Sequence, residues 1–220
     1  MIKGVLLDVD GTLVLSNEAH TGSWIDALAE AGFTVSHDKV RGLVGMGGDQ
    51  LLPRVVEGLD SETEPGKHIA QRRSEILKER YMGDIEAAPG ARELAQRIQH
   101  AGLKLMVASS ASKDELGYLL RIAHVEELIH EATTKDDAPS SKPAPDIVDA
   151  ALKKIALPVA DVVMIGDTPY DIESAGKANV GVIALRCGGF SDDTFKGALA
   201  IYDDPQDLAE HFDQSPLGKK

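Results

Sequence analysis

Apolar positions fall into two unlike patterns along this chain. Val5-Leu6-Leu7 is a short unbroken apolar run, the mark of a strand buried on both faces, and the strand predicted over residues 2–8 drives straight into Asp8. From 16 to 83 the spacing is helical. Trp24, Ile25, Leu28 and Ala31 share one face of a helix near 18–31, and Gly32 stands where a helix ends. Ser36 opens a short helix, and 51–59 and 66–82 read as two more, the second rich in charge. Between them lies GLVGMGGDQLL at 42–52. Its glycines miss the dinucleotide-binding spacing, and no strong strand precedes them. Nothing in this block reads as a convincing strand.

After Pro89 strands and helices alternate. A helix over 90–101 stops at Gly102, a strand follows at 103–108, and Ser112 with Glu115 predicts a capping box for a helix to about 123. A weak strand covers 128–133, a polar loop 136–141, and a helix runs from Lys142-Pro143 to about 155. The strand at 162–165 ends at Gly166-Asp167, and Pro169 suits the first turn of the next helix. Strands at 180–185 and 199–202 complete the series. This alternation predicts an α/β fold, a Rossmann-like parallel sheet with helices on both faces. Residues 1–15 and 84–220 would form that core, and 16–83 a small helical domain inserted after the first strand.

Composition narrows the function. The 220 residues, 43% of them hydrophobic, suffice for one substantial core and a smaller satellite. The net charge of −13 and the lack of any basic cluster longer than Arg72-Arg73 or Lys219-Lys220 argue against nucleic acid and anionic membranes. Anionic small molecules remain open, because a metal and one or two lysines reverse a local field. A single cysteine, Cys187, rules out an intrachain disulfide and fits a reducing compartment. The first apolar run ends too early for a signal-peptide core, and no stretch approaches the roughly 18 apolar residues of a membrane span. The expectation is a cytoplasmic protein, a monomer or weak dimer.

The candidate chemistry sits at strand ends. Asp8 and Asp10 are like charges at alternate positions where a parallel sheet opens its ligand crevice, and a hard divalent cation would relieve their repulsion. Ser109/Ser110, Lys142 and Asp167/Asp171 arrive from three further strand ends or loops. Each has a structural alternative. Lys142 could be a solvated loop lysine, Ser109 could merely end its strand, and Asp171 could cap its own helix behind Thr168 and Pro169. His20 could face the site or the surface. Cys187 has no histidine nearby in sequence and reads as packing.

Taken together, DVDGTL at 8–13, a strand ending in Ser109, Lys142 within SKPAPD and GDTPYD at 166–171 resemble the haloacid dehalogenase superfamily, with a helical cap after the first motif. The nearest branches are phosphoglycolate-phosphatase-like and β-phosphoglucomutase-like. The resemblance implies a Mg²⁺-dependent phosphatase of a small phosphorylated metabolite. Asp8 would be the nucleophile, forming an aspartyl-phosphate. Asp10 would be general acid then base, and a metal ligand through its backbone carbonyl. Ser109 would hold phosphoryl oxygens, Lys142 would supply fixed positive charge, and Asp8, Asp167 and Asp171 would join Asp10 around Mg²⁺. Gly11, Thr12, Ser110, His20, Gly47 and Gly48 are expected near phosphate or substrate. A carboxylic acid at Asp10 separates the chain from dehalogenases and phosphonatases. The alternatives are a β-phosphoglucomutase-like mutase and a catalytically silent binding module. Against the mutase, the two cap positions where that branch carries cations hold Gly48 and Leu77, and Lys78 and Arg80 point elsewhere along the helix.

Overall fold

Strand β1 (Gly4–Leu7) is the centre of the molecule. Val5 and Leu7 pack into one apolar cluster and Leu6 into another, so both of its faces are covered. A computed structural model describes residues 1–218; Lys219-Lys220 lie outside the described residues. Strands β2 (Lys104–Ala108), β3 (Ala132–Thr133), β4 (Val162–Gly166), β5 (Gly181–Leu185) and β6 (Ala200–Tyr202) join β1 in one parallel sheet, ordered β3-β2-β1-β4-β5-β6. The order reverses on either side of β1, which opens a crevice at the carboxyl ends of β1, β2 and β4.

One face carries α5 (Ala91–His100), α6 (Lys113–Ile122) and α9 (Pro205–Glu210), through Leu94, Ile98, Leu116, Leu119 and Leu208. The other carries α7 (Asp146–Ile155) and α8 (Pro169–Lys177), through Ile147, Val148, Ile155 and Ala175. Residues from β1 to Ala88 include α1 (Asn17–Glu30), α2 (His37–Arg41), α3 (Gly48–Val55) and α4 (Gly66–Ile76), with a wider π-helical turn at Leu77–Tyr81. Trp24, Leu28, Val40, Leu51, Leu52, Ile69 and Ile76 form a third apolar cluster, separate from those of the sheet.

Local differences from the sequence reading have plain causes. The strand expected at 128–133 shrinks to Ala132–Thr133, an edge pairing with β2 alone, because Glu126–Leu128 forms a 3-10 turn. The helix expected from Lys142-Pro143 starts at Asp146, after Pro145. The short α9, begun by Asp204 as N-cap and Pro205 at N1, was not expected.

Candidate active site

Parallel register aligns the catalytic candidates. Leu7 lies opposite Val107 of β2 and Ile165 of β4, so Asp8, Ser109 and Asp167 emerge side by side just beyond the strands. Asp8 is buried, and Lys142 Nζ reaches its Oδ1 at 2.7 Å. The same ammonium sits 2.7 Å from Asp171 Oδ1. At 2% exposure Lys142 is no solvated loop lysine. Burial alone would lower its pKa, but Asp171 and Asp8 outweigh that and raise it.

Asp8, Asp167 and Asp171 bring one carboxylate oxygen each within 4.8 Å of one another. Three acids against one ammonium leave the cluster short of positive charge. Burial, opposed by Lys142 and reinforced by Asp171, pushes the Asp8 carboxyl up to about 7. Burial, with Asp171 and Asp8 beside it, raises Asp167 as well. A compact all-oxygen donor set that strains to hold its own charge fits a hard divalent cation.

Asp171 uses both of its oxygens. Oδ2 accepts from Thr168 N at 3.0 Å and Thr168 Oγ1 at 2.7 Å in a capping box, while Oδ1 faces Lys142. Asp167 is held too. Thr12 Oγ1 donates to its Oδ1 at 3.1 Å, and Asn17 Nδ2 donates to its Oδ2 at 2.8 Å and to Gly188 O at 2.9 Å. Thr12 thus spends its hydroxyl on Asp167, away from the cavity where it was expected to meet phosphate. Gly11, at φ +75°, leaves no space for a side chain beside the same carboxylate.

Asp10 stands apart from the three-acid cluster. Its Oδ1 accepts from Ser16 Oγ at 2.6 Å and meets His20 Nε2 at 2.6 Å. Burial would raise this carboxyl, but His20, Ser16 and Arg73 outweigh it and bring it down to about 2. His20 is buried, not a surface residue. A small cavity of about 100 Å³ lies over Asp8 and Asp10, walled by His20, Trp24, Arg73 and Glu115, with Gly45–Gly48, Ser110 and Lys142 completing it. Gly47 and Gly48 therefore border the site, Gly48 close against the Trp24 ring. Ser109 is fully buried and its Oγ accepts from Ala111 N at 3.1 Å, whereas Ser110 Oγ is enclosed without a partner.

Arg73 and Glu115 were missed. Arg73 of α4 touches His20 Nδ1, lies 5.3 Å from the Trp24 ring and 3.8 Å from Glu115 of α6. The inserted helices do carry a cation to the site, contrary to the reading that placed Leu77 there; Leu77 is buried among apolar residues. The signal was present. Arg73 lies four residues after Ile69 and three before Ile76, on the buried stripe of α4. Glu115 was expected to complete the capping box at Ser112; Ser112 Oγ accepts from Glu115 N at 3.4 Å, but the carboxylate turns to Arg73 instead. Cys187 donates to Gly11 O at 3.2 Å, and burial pushes its thiol up to about 12, which suits a packing role.

Comparison with known proteins gives the family. The chain is 31% identical over 193 residues to the chloroplastic protein SUPPRESSOR OF QUENCHING 1 of Arabidopsis thaliana, a match covering 84% of this chain and 18% of that much longer protein. It is 28% identical to a phosphoglycolate phosphatase of Rhodospirillum rubrum, across 96% of this chain and 90% of the relative. A crystal structure of a hydrolase from Pseudomonas syringae superposes with a TM-score of 0.87 at 28% identity, covering 96% and 98% of the two chains. The family model for haloacid dehalogenase-like hydrolases matches residues 5–185, which contain every acid of the site, and the chain belongs to that family.

Proposed function

We propose that the chain is a Mg²⁺-dependent phosphatase that cleaves a small phosphorylated metabolite through an aspartyl-phosphate on Asp8. The observation that carries this is the paired environment of the two acids. Asp8 is a buried carboxylate fixed by Lys142 beside Asp167 and Asp171, while Asp10 opens on the same cavity, held by Ser16 and His20. In the first step an Asp8 oxygen bonds to phosphorus, the ester P–O bond breaks, and the leaving oxygen takes a proton from Asp10. Asp10 is ionised in the resting site, and the dianionic phosphate beside it favours its taking up a proton from solvent before the first step. In the second step water attacks phosphorus, Asp10 takes the water's proton, and inorganic phosphate leaves as Asp8 is regenerated. Lys142 keeps Asp8 oriented and balances charge on the transferring group, and the enclosed Ser110 hydroxyl is free to donate to a phosphoryl or substrate oxygen. Asp8, Asp167 and Asp171, with the Asp10 carbonyl, would hold Mg²⁺, whose chemistry is to neutralise charge on phosphate and nucleophile.

Residues 16–83 are proposed to act as a lid over this site, as a domain distinct from 1–15 and 84–220. The support is the apolar cluster that most of their helices share among themselves, although Leu77 and Met82 pack into that of the sheet, and a set of polar contacts with the core. Ser141 N donates to Asp49 Oδ2 at 3.1 Å, Arg41 to Gly188 O, and Tyr170 OH to Gly42 O. Closure would exclude water from the intermediate.

Arg73 favours a second reading, a phosphomutase, because it could grip a second phosphate. Glu115 weighs against that, since its carboxylate stands 3.8 Å from the same guanidinium and would repel a second phosphate there. The test is hydrolysis of an aryl phosphate with Mg²⁺, with Mg²⁺ chelated, and by Asp8→Asn. Phosphate release that needs both Asp8 and Mg²⁺ is expected; turnover by Asp8→Asn free of deamidation would overturn the assignment. Incubation with β-glucose 1-phosphate and a trace of the bisphosphate should release phosphate faster than it forms glucose 6-phosphate.

A further inference from the structure

We infer that Arg73 and Glu115 form a clamp across the seam between the inserted helices and the sheet, one that selects a hydroxyl-bearing leaving group and rejects a second anion. This rests on the phosphatase reading and adds the substrate class. Both side chains line the cavity of Asp8 and Asp10, and Arg73 reaches Asp10 through His20 whereas Lys142 pairs with Asp8; Asp10 is the acid that meets the leaving oxygen, so the clamp belongs to the alcohol side. They are nearly enclosed, at 13% and 10% side-chain exposure. Their nearest atoms are 3.8 Å apart, an ion pair too long to be a hydrogen bond. The Glu115 carboxylate, and the Arg73 nitrogens not engaged by His20, therefore keep hydrogen-bonding capacity on the cavity that both residues line.

Two further atoms point to a ligand. Arg73 Nε and Ser110 Oγ are enclosed and have no partner. Buried polar atoms are nearly always satisfied, so two orphans on one cavity call for a polar group between them. A hydroxyl fits all the walls at once, because it donates to the Glu115 carboxylate and accepts from Arg73 or Ser110. A carboxylate or second phosphate fits poorly. It would compete with Glu115 for Arg73 and bring a like charge against a fixed, poorly solvated carboxylate. Glu115 is a specificity residue on this account, and the favoured substrates are monoesters of polyols.

The experiment compares two three-carbon esters that differ only in CH2OH against a carboxylate, glycerol 3-phosphate and 3-phosphoglycerate. Both are assayed for turnover and as inhibitors of aryl phosphate hydrolysis. Wild-type kcat/KM is expected to favour the glycerol ester by at least about tenfold, the scale of one charged hydrogen bond. Glu115→Gln keeps the shape, removes the charge, and should narrow that ratio by about tenfold, chiefly by improving the carboxylate substrate. The ratio cancels losses common to both substrates, and the wild-type preference carries the test even where a variant folds poorly. A wild-type preference for 3-phosphoglycerate, a ratio that moves by less than about threefold in Glu115→Gln, or failure of both compounds to react or compete would overturn the clamp while leaving aryl phosphate hydrolysis intact. A wild-type enzyme inactive on the aryl ester would instead bring down the phosphatase reading, and the clamp with it.

Discussion

Replacing Lys142 by Met removes one positive charge from a site that holds three acids and keeps most of the apolar stem. Its ammonium lies 2.7 Å from both Asp8 and Asp171 and is 2% exposed. At an effective dielectric near 20, opposite charges about 4 Å apart attract by roughly 4 kcal/mol, so two such contacts offset the several kcal/mol that burying the ammonium costs. Deleting one member of a buried pair costs about 3–5 kcal/mol, because the remaining charges stay behind uncompensated. For a chain of this size each kcal/mol moves Tm by about 2–4 °C, which predicts a loss near 10 °C in metal-free protein at pH 8. The loss should shrink on acidification. The Asp8 carboxyl titrates near 7 with Lys142 in place, and without the lysine it holds its proton to still higher pH. Below that range Asp8 is neutral and no longer needs the ammonium. Mg²⁺ should recover more stability in Lys142→Met than in wild type, since the cation takes over the missing charge, while turnover stays down by at least about a hundredfold. Thermal melts at pH 5.5 and pH 8, with Mg²⁺ and with chelator, read all of this. A Tm within about 2 °C of wild type at pH 8 in chelator, or a Mg²⁺ gain no larger than the wild type's, would refute the charge balance described for the site.

Three further outcomes are expected. In wild type, the Asp8 carboxyl raised to about 7 makes metal-free stability fall as pH rises through that value and lets protons compete with Mg²⁺ below it; the Mg²⁺-induced Tm shift should therefore be larger at pH 8 than at pH 5.5, and equal shifts would contradict the burial argument. Asp171→Asn keeps an oxygen for the Thr168 cap but loses the pairing with Lys142, so it should weaken Mg²⁺ binding with less loss of Tm than Asp171→Ala; matching Tm values would show that the cap contributes nothing. Gly188→Ala would drive its Cβ into the Asp167 carboxylate and should lower Mg²⁺ affinity measured by calorimetry, whereas wild-type affinity would mean the loop yields freely.

Much of this was written in the sequence because the core strands are continuous apolar runs that end abruptly in acids. Asp8 and Asp167 stand at the ends of β1 and β4 for that reason, and Gly and Pro punctuate the helices between. What was not readable depends on docking. Arg73 sits in the charged stretch QRRSEILKER, where nothing local says which cation turns inward; only its place on the Ile69–Ile76 stripe sets it apart. Glu115 sits at the third position after Ser112, where a local capping rule accounts for it, and its contact with Arg73 forms only once α4 lies over α6. Thr12 was read by its neighbours in the motif, yet its hydroxyl serves an acid 155 residues away.

The alignment of β1 with β2 and β4 sets a limit on how this protein tolerates length change. Leu7 is level with Val107 and Ile165, and the three reactive ends follow within one or two residues. Removing or adding one residue in β1 would move Asp8 by about 3.3 Å and turn it to the opposite side of the sheet. Two residues would restore the side but carry the acid past Lys142 altogether. Length is no freer just after Leu13, because Ser16, Asn17 and His20 hold Asp10 and Asp167, and a residue inserted before them would carry them away from the acids. Length near the nucleophile is therefore set twice, by the register of the sheet and by the hold of the first turns of α1 on the two acids beside it.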